Sequence, residues 1–575
     1  MVLVLTDDQG YGDLACLGNS ILQTPNIDSL YRQSVRLTDF HVGPTCAPTR
    51  AALMTGRYCN RTGVWHTVMG RSLLRRDEVT MAEVFAAGGY RTGIFGKWHL
   101  GDNYPFRPQE RGFQEALVHG GAGVGQTPDY WGNHYFDDTY WHNGVPEKQK
   151  GYCTDVWFDA ALRFIEANRD RPFFAYIATN APHSPYNVAE KYSRLYAGRD
   201  VPNASFYGMI TSIDENVGRL RSRLKALGLE DNTILIFMTD NGTAAGFQGK
   251  RGFNAGMRGT KGSEYDGGHR VPCFIRWPAG GLGGGKDIGR LTAHIDLLPT
   301  LIALCGLPQP KDVKFDGTSL APLLRSANAD WPDRILVTDS QRIEHPEKWR
   351  KSAVMTDHWR LVNGRELYDI HADAGQKNDV ANEHSDVVQK LRRAYEDWWA
   401  DVSQRFDEYC EIVIGSDKEN PTRLTSHDWH GGDLPPWDQT HILKGERANG
   451  FWAVEVAQAG EYEFVLRRWP MEVDRPMDAA IPGGQAIQAS TARLTIGEVD
   501  LTSPVGAEAK EIVFRTSLKP GKMKLQTWLA DARSARERRS PDRQDSQSGD
   551  WRSQGEDGTS RGAYFVYVRR IPAHA

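Results

Sequence analysis

Short apolar runs that close on acidic, amide or imidazole side chains recur through the first half of the chain. Residues 2–5 form one, followed by Thr6, Asp7 and Asp8, and residues 233–238 form another, followed by Thr239, Asp240 and Asn241. Runs of this length that are apolar at successive positions predict central parallel strands buried on both faces. Residues 90–95, 173–179 and 273–277 read as further strands, the first delivering Gly96-Lys97-Trp98-His99 and the second Asn180-Ala181-Pro182-His183. Between them the period lengthens to that of helices, at 81–88 with a stop at Gly88-Gly89, at 155–167, at 206–227 before Gly228, and at 296–304. This alternation predicts an α/β fold with a large, mostly parallel central sheet, and such sheets bind ligands at the carboxyl ends of their strands.

The pattern changes after Gly317-Thr318-Ser319-Leu320. Residues 352–362 and 366–369 predict short antiparallel strands, and 385–402 an amphipathic helix. Beyond Gly415, β-forming segments at 451–456, 460–468, 491–501, 509–516, 522–529 and 563–569, spaced by Gly and Pro turns, predict a β-sandwich. Between the last two, the charged stretch at about 531–561, rich in Ser, Arg, Asp and Gly, predicts a disordered insertion. The expected domains are 1–330, an α/β unit, 331–405, a small antiparallel unit with a terminal helix, and 406–575, a β-sandwich-like unit.

Composition narrows the partners. A chain of 575 residues has room for several domains, and its formal net charge of −4 gives no reason to expect nucleic acid or a charged membrane surface. No run approaches a membrane span, and mean hydropathy is −0.54. Seven cysteines, at 16, 46, 59, 153, 273, 305 and 410, have neither metal-ligand spacing nor a disulfide framework. Met1 opens directly on the first strand with no leader pattern, so that strand reads as clipped.

Candidate chemistry collects at the strand ends. Asp7, Asp8 and Asp240 with the Asn241 amide oxygen are hard ligands suited to Ca²⁺ or Mg²⁺, whereas turn and cap roles are the plain alternative for Asp7 and Asp8. Lys97 and His99 are two apart and share a face of an extended segment, and Pro182 and Pro185 bracket His183. Gly43-Pro44-Thr45-Cys46-Ala47-Pro48-Thr49-Arg50 leads into an apolar, helix-favouring run, which places Cys46 just before a helix N-terminus, with Arg50 one turn on and able to bind an oxyanion. The glycine-rich stretch 246–268 carries Lys261 and is too irregular for a regular element. An aromatic loop from Thr127 to His142 suits either stacking on a sugar or packing on itself.

These stretches, in this order, resemble the signature segments of the type I sulfatases. The segments are Cys46-Ala47-Pro48-Thr49-Arg50, Leu5-Thr6-Asp7-Asp8-Gln9-Gly10-Tyr11-Gly12-Asp13, Gly96-Lys97-Trp98-His99-Leu100-Gly101, Ala181-Pro182-His183, Thr239-Asp240-Asn241-Gly242 and Gly259-Thr260-Lys261-Gly262. The likeness spans about residues 1–405 and includes Glu366-Leu367-Tyr368-Asp369. It implies an alkaline-phosphatase-like sandwich and a sulfuric ester hydrolase. It also implies that Cys46 is converted to formylglycine (3-oxoalanine) by a maturation enzyme that reads Pro48 and Arg50. One divalent cation, calcium before magnesium, would sit on Asp7, Asp8, Asp240, Asn241 and the modified Cys46. The hydrated aldehyde would be the nucleophile, Arg50, Lys97 and Lys261 would hold the sulfate oxygens, and His183 with Lys261 would protonate the leaving alcohol. His99 would be the base or orienting partner that lets the aldehyde re-form and expel sulfate.

The resemblance implies a sulfated carbohydrate or aryl sulfate substrate and a periplasmic or secreted location. Two other readings stand beside it: a phosphonate monoester or phosphodiester hydrolase of the same architecture, and a non-catalytic sulfated-glycan binder if Cys46 stays a thiol. One departure is Asp266-Gly267-Gly268-His269-Arg270-Val271-Pro272, where relatives commonly carry Glu-Gly-Gly and an apolar residue before Arg-Val-Pro. Asp266 reads as a harmless shortening and His269 as a satisfied polar residue, with a substrate contact as its alternative. The C-terminal unit reads as structural cover for the rest before it reads as a glycan binder.

Overall fold

A computed structural model describes residues 1–249, 251–326, 329–531 and 560–572, so nearly all of the insertion expected at about 531–561 lies outside the described residues. Ten strands form the main sheet, in the spatial order Lys286–Ile288, Val35–Leu37, Cys273–Arg276, Leu235–Thr239, Val2–Thr6, Phe173–Ala178, Arg91–Lys97, Glu115–His119, Thr139–His142 and Val145–Lys148. The centre is parallel: Val2–Thr6 lies between Phe173–Ala178 and Leu235–Thr239, and Arg91–Lys97 pairs Phe173–Ala178. Antiparallel strands flank it, so the sheet is mixed.

Strict alternation along the apolar strands sorts their side chains into two cores. Leu3, Leu5, Tyr176, Ala178, Ile236 and Met238 join one, with Ala47, Ala51, Leu53 and Met54 of helix Cys46–Thr55. Val2, Val4, Ala175, Ile177, Leu235 and Phe237 join the other, covered by helices Cys153–Ala167 and Ala204–Ala226. The runs lack a polar face because neither face meets water. Each large side chain so buried contributes about 1.5–3 kcal/mol.

A second sheet, antiparallel, comprises Leu336–Asp339, Ser352–Met355, Trp359–Val362 and Glu366–Asp369, and helix Ser385–Val402 lays Leu391 and Tyr395 on it. Residues 352–362 are thus two strands about a turn. The C-terminal region stacks two sheets, one built on Phe451–Val456, Gly521–Ala530 and Thr491–Ile496, the other on Thr422–Thr425, Phe565–Ile571, Gly460–Arg467 and Ile512–Leu518. Trp452, Leu494 and Leu525 of the first meet Leu424, Phe464 and Val566 of the second. The single strand expected at 491–501 is a hairpin, Thr491–Ile496 and Val499–Pro504, turned at Gly497-Glu498 with Gly497 at φ +57°. A two-residue loop that opens on a left-handed glycine is a hairpin signal overridden by the long β-forming run. Leu73 and Phe106 of the N-terminal region pack into the C-terminal core. Among the described residues, no helix is long and apolar enough to cross a membrane.

Candidate active site

Helix Cys46–Thr55 begins on Cys46 itself, with extended Thr45 as its cap residue, so the cysteine is one position inside the helix. Its side chain is only 2% exposed. Burial pushes the thiol pKa above its ordinary value, against the pull of Lys97 and Lys261. An unmodified Cys46 is therefore a thiol at neutral pH, a poor nucleophile. The backbone of the glycine-rich stretch meets this turn: Gly262 N–H donates to the Pro44 carbonyl at 2.8 Å. That stretch is less irregular than its composition suggests, with a short ribbon at Phe247–Gln248 and Arg251–Gly252 and a helical turn at Asp266–His269.

Neighbouring strands place the carboxylates. The Val2–Thr6 and Leu235–Thr239 strands run parallel and in register, Thr6 opposite Thr239, so Asp7, Asp8, Asp240 and Asn241 emerge at one edge. Oxygens of Asp7, Asp8 and Asp240 lie within 4.8 Å of one another, all buried. Asp8 turns back at φ +66°, uncommon for any residue but glycine, and its N–H donates to Asp240 Oδ1 at 3.1 Å. Asn241 Nδ2 donates to Asp8 Oδ1 at 3.0 Å and to the Gly242 carbonyl at 2.9 Å, which turns Asn241 Oδ1 the other way.

Three cations surround the carboxylates. Lys97 Nζ donates to Asp7 Oδ2 at 2.5 Å, and Lys261 Nζ to Asp8 Oδ2 at 2.7 Å. Arg50 donates from Nη2 to Asp240 Oδ2 at 2.8 Å and from Nη1 to the Lys97 carbonyl at 3.0 Å. Burial opposes ionisation of Asp8, yet Lys261 and then His183 hold its pKa well below the carboxylate range. Asp240 goes the other way, pushed up to about 7 by burial and the neighbouring Asp7 charge despite Arg50.

Gly96 is required where Lys97 leaves its strand: at φ +115°, a Cβ would stand 2.0 Å from the Ala178 carbonyl oxygen. His99 follows at φ +64°. Its Nε2 must carry the proton, because it faces the Thr67 carbonyl at 2.8 Å. Burial depresses its pKa, so Nδ1 is a bare acceptor, buried and without a partner. His183 is likewise depressed by burial, to about 4, with Nδ1 donating to the Ser184 carbonyl at 2.6 Å and Nε2 3.7 Å from Asp8 Oδ2. Tyr135 Oη steadies this turn by donating to the His183 carbonyl at 2.8 Å.

The ten candidates are thus gathered in one place, but they do not share one environment. A cleft of about 570 Å³, of ligand-binding size, is lined by Cys46, His183 and Lys261. Arg50 and Lys97, 1% and 0% exposed in their side chains, lie behind it and are engaged with carboxylates. Most rings of the aromatic loop face inward: Tyr135 and Tyr140 are fully buried and Trp131 packs edge-on to Trp469, while Asn133 and His134 reach the cleft. Asp266 and His269 face elsewhere. Asp266 accepts from Arg360 at 3.1 Å, and His269 Nδ1 meets His41 Nδ1 at 2.9 Å inside a buried network.

Sequence reasoning missed other lining residues, among them Thr67, Gln126 and Arg342 together with Leu434, Trp437 and Gln439 of the C-terminal region. Only Leu434-Pro435-Pro436-Trp437, an aromatic held behind two prolines, carried a local signal.

Known proteins resemble this chain in sequence and in fold. The profile of the family described as Sulfatase matches residues 1–307, and that described as N-sulphoglucosamine sulphohydrolase, C-terminal, matches residues 260–400. Human arylsulfatase A is 35% identical over 354 residues, covering 56% of this chain and 67% of that protein. Mouse N-acetylgalactosamine-6-sulfatase is 31% identical over 362 residues, 58% of this chain and 67% of that protein. The solved structure of Ps i-CgsB in complex with k-i-k-neocarrahexaose superposes with a TM-score of 0.64 at 28% identity, covering 71% of this chain and 94% of that one. A phosphonate monoester hydrolase of Agrobacterium radiobacter, at 22% identity and a TM-score of 0.52, shares the fold.

Proposed function

Because the chain belongs to the sulfatase family and is a sulfuric ester hydrolase, we propose that it hydrolyses sulfate esters of carbohydrates with a nucleophile made from Cys46 and a divalent cation held by Asp7, Asp8, Asp240 and Asn241. The observation that carries the reading is a pair of buried oxygens, Asp7 Oδ1 and Asn241 Oδ1, that have no hydrogen-bond partner. Buried polar atoms are nearly always satisfied. Two bare oxygens beside three clustered carboxylates suit a hard cation such as calcium or magnesium.

Charge supports the same assignment. Three carboxylates face three cations, Arg50, Lys97 and Lys261, so with Asp240 ionised along with Asp7 and Asp8 the residues alone are neutral. A bound divalent cation would add two positive charges that a sulfate monoanion and an ionised nucleophilic oxygen then balance, and as a Lewis acid it would favour that ionisation. The formylglycine hydrate at Cys46 would supply that oxygen and a second hydroxyl.

The remaining residues divide by exposure. Lys261 and His183 line the cleft, where they would contact the sulfate oxygens and the leaving oxygen. Its depressed pKa keeps His183 neutral in the empty site, and the arriving sulfate anion raises its proton affinity so that Nε2 can protonate the departing alcohol. Arg50 and Lys97, which the sequence reading put on the sulfate, act from behind by holding Asp240 and Asp7 in place. His99 Nδ1, deprotonated and without a partner, takes the proton whose loss lets the aldehyde re-form.

Mass spectrometry of the peptide spanning Cys46, from protein co-produced with a formylglycine-generating enzyme, tests this. Thiol-to-aldehyde conversion with turnover of sulfate esters is expected. An unmodified thiol beside a converted control refutes it, and preferred turnover of an aryl phosphonate monoester would reassign the atom attacked.

A further inference from the structure

The cleft does not end at the catalytic unit. We propose that Trp437 and Arg342 form a second subsite next to the scissile sulfate, so that the substrate is an oligosaccharide whose neighbouring ring carries another anionic group, a carboxylate or a sulfate. This rests on the sulfatase reading and adds the class of substrate that the site selects.

Trp437 belongs to a wall contributed by the C-terminal region, beyond residue 400 where the two matching family profiles stop. The wall is fixed from several sides. Thr127 N–H donates to the Trp437 carbonyl at 2.9 Å, and Thr127 Oγ1 to the Pro436 carbonyl at 3.0 Å. Gln439 N–H donates to the Gly125 carbonyl at 3.2 Å, Gln439 Nε2 to the Gln126 carbonyl at 3.1 Å, and Gly132 N–H to Gln439 Oε1 at 3.0 Å. Pro435 and Pro436 stiffen the approach. Trp437 is half-buried, its ring edge-on to His441 with centroids 5.0 Å apart. Among the described residues its indole N–H has no partner. A large rigid ring with a free donor, held in a cleft, suits the apolar face and hydroxyl edge of a sugar.

Arg342 enters the same cleft from the segment after strand Leu336–Asp339. Its side chain is exposed and, among the described residues, has no ion pair. The nearby acids are already engaged: Glu344 accepts from His430 Nδ1 at 2.9 Å and from Arg71 Nε at 3.2 Å, and Asp438 Oδ1 caps Thr440 N–H at 2.9 Å. The backbone of Arg342 sits at φ +42°, left-handed for a residue with a side chain, and such outliers gather at ligand sites. A guanidinium without an ion pair that lines the same cleft as an aromatic platform suits a planar or tetrahedral anion held through paired N–H groups. Lys261 and His183 line the same cleft as Cys46 and are the groups assigned to the scissile sulfate, so an anion at Arg342 is a second one.

The test uses the matured full chain, its Trp437→Ala, Arg342→Ala and Arg342→Lys variants, and three probes. These are 4-nitrophenyl sulfate, a hexasaccharide of alternating uronate and sulfated hexosamine, and a galactan hexasaccharide sulfated on every ring. The ratio of kcat/KM for a hexasaccharide over the aryl sulfate should fall about tenfold or more in both Ala variants, through KM, with Arg342→Lys intermediate. The hexasaccharide whose ratio falls identifies the second anion as carboxylate or sulfate. Calorimetric titration of unmatured protein with both hexasaccharides should show the same loss of affinity without turnover. Wild-type protein that binds neither, or a ratio unchanged in both Ala variants, overturns the subsite. Failure of the wild type to cleave any sulfate ester, with hexasaccharide binding intact and sensitive to the two residues, would instead count against the parent reading alone.

Discussion

Lys97→Met offers a quantitative test of the charge balance at the strand ends. The Lys97 ammonium and the Asp7 carboxylate are 2.5 Å apart, both with no exposed side-chain surface. Methionine keeps most of the volume and removes the charge, leaving Asp7 buried among Asp8 and Asp240. Stripping one partner from a buried ion pair costs about 3–5 kcal/mol. A second route gives a similar figure. A stranded carboxylate takes up a proton, and neutralising a carboxyl of ordinary pKa near 3.9 at pH 7 costs about 4 kcal/mol. With about 2.1 cal/mol/K of unfolding entropy per residue, a unit of about 330 residues shifts by about 1.4 °C per kcal/mol, so the main-sheet transition of metal-stripped protein should fall by about 4–7 °C at pH 7. The sign with pH comes from the proton taken up. The deficit should shrink by about 1.4 kcal/mol per unit as pH drops toward 5, because the protonation that compensates the loss becomes easier. Excess calcium should restore more stability to the variant than to the wild type, since a cation then supplies the missing positive charge. Differential scanning calorimetry at several pH values, with and without calcium, reads all three effects. A deficit that is independent of pH and of calcium would mean that lost packing dominates, and would refute the reasoning.

Two individual side chains give further tests. In His99→Ala, matured protein should lose about 10²–10⁴-fold in steady-state turnover while still releasing close to one equivalent of nitrophenol in a rapid burst, because the base acts after the alcohol has left; loss of the burst as well would move His99 to the first step. Glu419 has its carboxyl pushed up to about 7 by burial, against Arg107 and the Tyr104 N–H. Since this folded-state value lies above the unfolded one, its contribution is fully present below about pH 4.5 and about 3 kcal/mol of it is lost as pH rises through 7. Glu419→Gln should therefore flatten the decline in unfolding midpoint between those limits, and an unchanged decline would assign it to other groups.

The sequence by itself determined the local devices. Short apolar runs of four to seven residues closed by polar ones read as strands buried on both faces, and the residues just after each run are delivered to a strand end whatever the sheet order, which made Asp7, Asp8, Lys97, His183, Asp240 and Asn241 legible as one set. A proline two positions into a helix is local as well. Short strands such as Val35–Leu37 and, at the sheet edge, Lys286–Ile288 left no usable pattern, because three residues cannot establish a period.

Tertiary structure decided the rest, because burial and charge partners are properties of neighbours that the chain brings from far away. The family resemblance gave Arg50 and Lys97 as sulfate contacts, and only the fold shows that each also pairs with a carboxylate delivered by another strand. The aromatic loop read equally as platform or packing, and its partners Trp157 and Trp469 drew its rings inward. That left the cleft to Trp437, whose carbonyl is fixed by Thr127 some three hundred residues earlier. No period or spacing in the chain encodes that meeting, since it depends on two regions docking through a shared apolar core.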